Sequence, residues 1–415
     1  MHSRHCARAE VGQYGGGVST EPAPTPRPAV ALTAELVAVD SVNPGLVEGA
    51  AGEAEIAGVV ARRLEARGFV VRTIVDPSDP RRASVIAEYT GTRPGRTIVL
   101  NGHLDTVGVE GMAEPFSATL ENNRLYGRGT SDMKGGVAGL IIAAEHLAAT
   151  DAPGTVIVAL VADEEDASLG AEAVLADLAA RGTRPDLCLI AEPTWLDIAI
   201  AHRGYAVVEV TLHGRAAHSS QPGEGVDAIR GLNRLLTEVE NADAALAAGA
   251  QHPLLDAGSL MATVARAGTA PFSVAARADV VIERRTVPGE SPDDALAEVR
   301  VLLERVTGAI PGLTADARLT LARDAWEHDT TGAAAEFAGL LSHALEAAGS
   351  HSPARTGAPY WMESALWQEA GVPTVVCGPA GGGLHAIDEW VDIGQLEHFA
   401  VAVADAARRF LEGTS

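Results

Sequence analysis

Hydrophobic and polar positions recur along the chain with two periods, which distinguishes helices from strands. Apolar residues repeat at helical spacing from Ile56 to Leu64, and Gly68 supplies a helix stop. Residues 137–144 are apolar on every side, which predicts a helix buried against a sheet. Helix-sized and strand-sized segments then alternate through residue 191, an order typical of a largely parallel sheet. Three early runs of strand length lie near 70–75, 84–89 and 96–101.

The pattern changes near residue 199 and then reverts near residue 330. The intervening segments predict a compact β-α-β-β-α-β unit, the ferredoxin-like arrangement. We therefore expect an α/β domain, a mostly parallel sheet flanked by helices, formed by residues 29–198 and 327–415. A smaller α+β domain of residues 199–326 is inserted into it. The predicted elements of the insertion are a strand at 205–212, a helix at 225–240, a strand pair within 259–285, a helix at 292–307 and a strand at 316–322.

Length and composition support a two-domain globular protein preceded by an unstructured segment. The chain has 415 residues, more than a single core usually organises. Residues 1–28 are rich in glycine and proline and carry few apolar side chains. Such a segment buries too little apolar surface to offset its ordering entropy. We expect residues 1–28 to form a disordered N-terminal arm.

Charge and cysteine usage exclude several classes of partner. The formal net charge is −24 and Lys134 is the sole lysine, so no basic surface for nucleic acid is expected. The three cysteines are odd in number and widely spaced, which argues against a disulfide framework. No apolar stretch approaches the ~20 residues that span a bilayer, and no secretory leader is evident. We therefore expect a cytoplasmic protein without membrane partners.

Five side chains of the types that bind metal ions are spread along the chain. Four of them follow short apolar runs, and the fifth opens a glycine-rich helix start. Because ligands bind outside the carboxyl ends of the strands in such sheets, we expect these residues to converge. Two imidazoles and three carboxylates suit a pair of divalent cations that share one carboxylate. The five residues are His103, Asp132, Glu165, Glu192 and His385.

Each motif taken alone also has an ordinary interpretation. His103 could be a loop histidine with satisfied hydrogen bonds, and Asp132 could simply cap the following helix. If His103 ligates a metal, Asp105 can accept from its other ring nitrogen. The run Asp163-Glu164-Glu165 could be a solvated acidic turn. Alternatively, Glu165 binds metal while Glu164 stays free as the general base for a metal-activated water.

In combination and order, these motifs resemble one enzyme family. Residues 30–412 resemble the di-zinc aminoacylase, acetylornithine deacetylase, succinyl-diaminopimelate desuccinylase and glutamate carboxypeptidase family. The resemblance implies a zinc-peptidase-like catalytic domain and an inserted lid and dimerisation domain. The motifs that carry it are Gly102-His103-Leu104-Asp105, Gly129-Thr130-Ser131-Asp132-Met133-Lys134-Gly135-Gly136, Asp163-Glu164-Glu165, Glu192-Pro193 and His385.

The resemblance also implies a division of the metal ligands. Asp132 would bridge two ions, most simply Zn²⁺, with Co²⁺ as an alternative. His103 and Glu192 would serve one ion, and Glu165 and His385 the other.

Four further residues acquire roles from the same resemblance. Glu164 would be the general base, and Asp105 would orient His103. His218, in the stretch Gly214–Ser220, would stabilise the oxyanion from its own or the partner subunit of a homodimer. Arg285 would clamp a substrate carboxylate, although a strand-end salt bridge is an equal alternative.

The function predicted from these residues is hydrolysis of the amide bond of an N-acyl amino acid. Glu363 and the pair Asp388-Glu389 resemble acetylornithine deacetylases more than desuccinylases, whereas the family's lid asparagine is not evident near 271–273. A carboxypeptidase or dipeptidase acting on short peptides is the first alternative. A non-catalytic scaffold that keeps the fold is the second.

Overall fold

The computed structural model describes residues 27–413, so residues 1–26 of the predicted arm lie outside it. The first helix begins at Pro28. The helices are α1 (Pro28–Val37), α2 (Ala54–Glu65), α3 (Gly135–Ala149), α4 (Leu169–Ala180), α5 (Ala228–Ala247), α6 (Pro292–Gly308), α7 (Gly332–Ala347), α8 (Ser364–Glu369) and α9 (Ile393–Glu412). Two shorter helical turns are Thr130–Lys134 and Pro222–Glu224.

The strands fall into three sheets. They are β1 (Val70–Val75), β2 (Ala83–Thr90), β3 (Thr97–His103), β4 (Thr119–Glu121), β5 (Arg124–Tyr126), β6 (Thr155–Val161), β7 (Leu187–Ile190), β8 (Ile198–His202), β9 (Gly204–His213), β10 (Ser259–Ala267), β11 (Arg277–Thr286), β12 (Thr314–Arg323), β13 (Trp326–Glu327), β14 (Arg355–Ala358), β15 (Thr374–Val376), β16 (Gly381–Gly382) and β17 (Trp390–Asp392).

The central sheet has the order β1-β2-β6-β3-β7-β15-β8-β13, and β14 also pairs with β8. Strands β6, β3, β7 and β15 are parallel neighbours, and antiparallel pairs lie toward both edges. Helices cover both faces, so the central strands are buried on both sides and read as continuous apolar runs. The predicted α/β class is confirmed.

Alternate residues of β3 point into two different cores. Ile98 and Leu100 pack with the helices on one face, and Val99 packs on the other face with α4 and α8. Helix α3 is apolar all round because it lies between the sheet and α9. A Cβ at Gly139 would come within 2.5 Å of the Phe399 ring, so the small residue permits this close packing.

Residues 204–323 build a second sheet with the antiparallel order β10-β11-β9-β12. Helices α5 and α6 cover one face, where Val208, Ile282 and Leu303 share a core. This sheet begins at Gly204 rather than at 199, because β8 pairs with β15 and β14 of the central sheet. The chain returns to the central sheet at β13.

No helix among residues 27–413 is long and apolar enough to cross a membrane.

Candidate metal centre

Neighbouring parallel strands bring three of the predicted motifs to one edge of the central sheet. His103 is the last residue of β3, the turn 163–168 follows β6, and Glu192 lies two residues beyond β7. Strands β6 and β7 flank β3 on either side and run parallel to it. Their carboxyl ends therefore meet, as the strand order requires.

Asp132 lies at the centre of this cluster, between two histidines. Its Oδ1 is 3.1 Å from His103 Nε2, and its Oδ2 is 3.3 Å from His385 Nε2. Glu192 Oε1 lies 3.9 Å from His103 Nε2, and Glu165 Oε2 lies 3.1 Å from His385 Nε2. The five residues thus form two groups that share Asp132, with potential ligand atoms in each group within 4.8 Å of one another.

The buried carboxylate of Glu389, for which the sequence predicted no contact, binds the backbone at Asp132. Glu389 accepts hydrogen bonds from Arg128 Nη1 (2.7 Å) and from the backbone N–H groups of Gly129 (3.0 Å), Ser131 (2.9 Å) and Asp132 (3.1 Å). The turn 130–134 is consequently fixed by a residue four positions after His385. The only sequence signal was the acidic pair at 388–389 beside that histidine.

Asp105 fixes the acidic turn as much as it orients His103. Its carboxylate accepts from the backbone N–H groups of Glu164 and Glu165, each at 3.1 Å. His103 Nδ1 lies 3.0 Å from the Asp105 carbonyl oxygen and 3.5 Å from the carboxylate. The carbonyl is therefore the closer partner of the ring, and it leaves Nε2 facing Asp132.

A buried polar network around Asp163 supports the turn 163–168. Asn43 Nδ2 donates to Asp105 (2.7 Å) and to Asp163 (3.1 Å), while its oxygen accepts from the backbone of Gly45 (2.8 Å). Arg82 is ion-paired with Asp163 and lies 3.4 Å from Glu53. None of these contacts was foreseen for Asn43 or Arg82.

Burial and the closeness of the carboxylates shift the pKa values of the cluster. Burial raises the pKa of Glu192 to about 8 and that of Glu165 to about 7, and Asp132 reinforces both shifts. Burial, followed by the charge of Glu192, raises the pKa of Glu164 well above its usual range. Burial would also raise the pKa of Asp132, but hydrogen bonds from the two histidines hold it below its usual value. One oxygen of Glu165, Oε1, is buried without a hydrogen-bond partner.

The base candidate lies at the edge of this cluster. Glu164 Oε2 is 3.9 Å from His103 Nε2, and its side chain is mostly buried. Hydrogen bonds to Asp132 and Glu165 raise the pKa of His385 to about 10. The arrangement places one carboxylate beside, but outside, the two groups centred on Asp132.

Two predicted site residues, His218 and Arg285, belong to the inserted domain. His218 is exposed, and its Nδ1 is 2.7 Å from Ser220 Oγ. Arg285 is ion-paired with Glu283 at 2.6 Å and stacks over Tyr205 at 5.3 Å.

The fold and the cluster together define a class: α/β proteins that collect histidines and carboxylates beyond the strand ends of a parallel-centred sheet. Comparison with known proteins then identifies the family. The model of peptidase family M20/M25/M40 matches residues 99–409, so the chain belongs to this family.

Individual relatives agree with this assignment. The chain is 30% identical over 385 residues to the succinyl-diaminopimelate desuccinylase of Cereibacter sphaeroides, an alignment that covers 89% of this chain and 95% of the relative. The crystal structure of aminopeptidase PepT from Bacillus cereus is similar with a TM-score of 0.73 at 19% identity, covering 92% of this chain and 98% of that one. The Bacillus subtilis YXEP protein, described as a dinuclear metal binding peptidase from the M20 family, gives 0.70 at 18% identity, with coverages of 92% and 98%.

These findings confirm the predicted family and show that the protein is a hydrolase of amide bonds. The alternative of a non-catalytic scaffold is not supported.

Proposed function

We propose that the protein is a metal-dependent deacylase, of the acetylornithine deacetylase type, that hydrolyses the amide bond of N-acyl amino acids. The observation that carries the proposal is the placement of Asp132 between His103 and His385, with Glu164 beside them. A shared carboxylate flanked by two imidazoles is the arrangement that a pair of divalent cations requires.

The residues present fit such a pair of ions. His103 and Glu192 would hold one ion, Glu165 and His385 the other, and Asp132 both. The unpartnered Oε1 of Glu165 and the raised pKa values of Glu165 and Glu192 are what an acidic cluster shows when its counter-charge is missing. Zn²⁺ suits nitrogen and oxygen donors in this number, and Co²⁺ is the alternative.

Glu164 is the residue we assign to proton transfer. When bound, the cations would polarise the amide carbonyl and lower the pKa of the attacking water toward neutrality. Glu164 would accept a proton from that water and return it to the leaving nitrogen. A group that both accepts and donates a proton works best with a pKa near the operating pH, and burial moves the pKa of Glu164 in that direction.

We place His218 in the partner subunit's site. Strand β9 has ten residues and spans roughly 30 Å, and His218 follows the end that is remote from Gly204, where the strand leaves the central sheet. An oxyanion donor must lie within hydrogen-bonding distance of the reacting carbonyl. A homodimer through the inserted domain would let His218 reach the site of the other copy.

Mixing inactive variants tests this arrangement. Dimers assembled from Glu164→Gln and His218→Ala chains should regain activity, because one of the two sites then holds both residues intact. Mixed dimers that stay as inactive as either parent would contradict donation between subunits.

Arg285 would receive the free carboxylate of the amino acid. Its guanidinium already has a fixed direction from the pairing with Glu283 and the stacking over Tyr205, and its planar fork matches a carboxylate. The same residue would serve a short peptide with a free carboxyl terminus.

The identity of the acyl group separates two candidate substrates, and the named relative favours the second, an N-succinyl compound. The Cereibacter sphaeroides relative acts, by name, on succinyl-diaminopimelate, whereas Glu363 and the acidic pair at 388–389 favour an acetylated substrate. The structural neighbours include peptidases, so a dipeptidase or carboxypeptidase is the third candidate.

A hydrolysis panel of N-acetyl amino acids, N-succinyl compounds and dipeptides, run with zinc and then with cobalt, would separate these substrates. Preference for N-acetyl compounds supports the proposal in full. Preference for N-succinyl compounds keeps the deacylase but contradicts the acetylated substrate, and preference for dipeptides contradicts the deacylase itself. Small molecules of this kind, rather than nucleic acid or a membrane, are the partners we propose. Cys188 and Cys377 are buried free thiols, which fits the reducing cytoplasm.

A further inference from the structure

One arginine of the second sheet bonds directly to the turn that carries Glu164. Arg323 is the last residue of β12, and its Nη2 donates to the carbonyl oxygen of Ala167 at 2.6 Å. The same nitrogen is 3.0 Å from Glu172 Oε1 on α4. Ala167 lies three residues after Glu164 in the turn 163–168, so the contact joins the inserted sheet to the candidate base.

A pair of aromatic rings, one from each part of the molecule, packs beside this guanidinium. Arg323 lies over Trp361, with 5.8 Å to the ring centroid, and its side chain is only 18% exposed. Tyr205 is directly opposite Arg323 across β9 and β12, so the two side chains lie on the same face. The Tyr205 ring meets Trp361 edge-on at 6.1 Å. The contact is therefore a packed one and not a loose surface ion pair.

The backbone beside Arg323 is where the chain crosses between the sheets. A Cβ at Gly204 would come within 2.5 Å of the Arg323 carbonyl oxygen and 2.4 Å of the Ala325 nitrogen, so the two crossing segments touch. Arg323 also lines a cavity of about 270 Å³ that extends to the start of α6 and to Glu369. Rotation of the inserted sheet about these segments would therefore move Arg323 relative to Ala167.

We propose that Arg323 is a positioning residue that couples the orientation of the inserted sheet to the turn bearing Glu164. The inference rests on the proposed function, since it assigns Glu164 as the base. On the sheet side, Asp105 and the Asn43–Arg82 network hold the start of the turn. Arg323 holds its end, so closure of the inserted domain over substrate would set the final position of the base.

Three variants and one matched control test the coupling. Arg323→Met removes both polar contacts, and Arg323→Lys keeps the charge but not the planar fork. Glu172→Gln keeps an acceptor but removes the opposite charge. Arg318→Met is the control, because Arg318 is on the same strand, is 72% exposed and pairs only within the inserted sheet, with Glu209 at 2.7 Å.

Two readouts are measured for each purified, metal-loaded variant. Hydrogen–deuterium exchange of residues 163–172 reports the turn directly, because its amides are bonded to Asp105 and Asp163. Steady-state kinetics report the base. Arg323→Met should speed exchange in this peptide and lower kcat by about ten- to a hundredfold with little change in KM, since small misplacements of a catalytic group have effects of this size.

The remaining outcomes are equally decisive. Arg323→Lys should recover part of the kcat that Arg323→Met loses, and Glu172→Gln should lose less kcat than Arg323→Met. These two variants also test the coupling if Arg323→Met does not fold. Exchange in Arg323→Met or Arg323→Lys that matches Arg318→Met would overturn the proposal. If Glu164→Gln retains turnover while Arg323→Met still speeds exchange, the assigned base is wrong and the coupling stands.

Discussion

Glu389 offers the sharpest test of how the centre is built, through the variant Glu389→Gln. Each carboxylate oxygen accepts two hydrogen bonds: Oε2 from Arg128 and Gly129, and Oε1 from Ser131 and Asp132. A glutamine has one oxygen and one NH₂ group. In either orientation of the amide, its NH₂ group replaces one carboxylate oxygen, so the two N–H groups that donated to that oxygen lose their acceptor.

The magnitude follows from the burial of the partners. Glu389 and Arg128 side chains are 1% and 3% exposed, so water cannot replace the lost bonds. Hydrogen bonds to a charged group contribute about 1.5–3 kcal/mol each, and breaking one side of a buried ion pair costs about 3–5 kcal/mol. We expect Glu389→Gln to lower the free energy of unfolding by about 3–5 kcal/mol. The turn 130–134 should loosen at the same time, and metal affinity should fall by about ten- to a hundredfold, as for other residues that orient ligands.

Urea unfolding of the chelator-treated protein and calorimetric metal titration measure the two effects separately. Asp388→Asn is the control, because Asp388 is exposed and adjacent to Glu389. An unfolding free energy for Glu389→Gln within error of that for Asp388→Asn would refute the reasoning.

Three further predictions concern the base, the ions and the support of the acidic turn. Glu164→Gln should lower kcat by about 10²–10⁴-fold, which is the usual contribution of a general base. Elemental analysis should show an unchanged metal content. A fully metallated variant with normal turnover would exclude Glu164 as the base. Metal affinity, followed by competition with a chelating dye, should rise with pH from about 7 to about 10. Glu165, Glu192 and His385 have raised pKa values of about 7, about 8 and about 10, and metal binds only their deprotonated forms. Affinity independent of pH across this range would contradict the prediction. Arg82→Met should lower the free energy of unfolding by about 3–5 kcal/mol, because it leaves Asp163 and Glu53 without their cation. Arg81→Met, at a partly exposed neighbour paired with Asp79, should change the free energy of unfolding little. Equal effects of the two variants in urea unfolding would contradict the weight given to the buried pair.

The elements that the sequence predicted well are those whose periodicity is long and local. Helix α2, the apolar helix α3 and the order of the inserted unit follow from spacing alone. Helix α5 runs to Ala247 rather than 240, because Ala242 and Leu246 still pack against the core of the inserted sheet. The predicted boundary at residue 199 placed most of β8 in the insertion, although this strand pairs with the central sheet. A single residue, Arg203, separates β8 from β9, and no periodicity marks that change of sheet.

The supporting residues of the centre could not be found in the same way, because their contacts are remote in sequence. Asn43 lies 62 residues before Asp105 and 120 before Asp163, and Glu389 lies 261 residues after Arg128. A lone asparagine in a loop or a glutamate after a histidine has no periodic signature. The placement of His103, Glu165 and Glu192 was predictable, since each lies at or just after a strand whose end the parallel order brings to one edge. Asp132 lies in the turn 130–134 instead, and His385 lies nine residues beyond β15.

The number of metal ions per chain tests the central claim most directly. Equilibrium dialysis against Zn²⁺, followed by elemental analysis, should give two ions per wild-type chain and fewer than one for Asp132→Asn, because both groups share that carboxylate. His103→Ala and His385→Ala should each retain one ion. One ion or none in the wild type, or two in Asp132→Asn, would contradict a centre built on a shared Asp132.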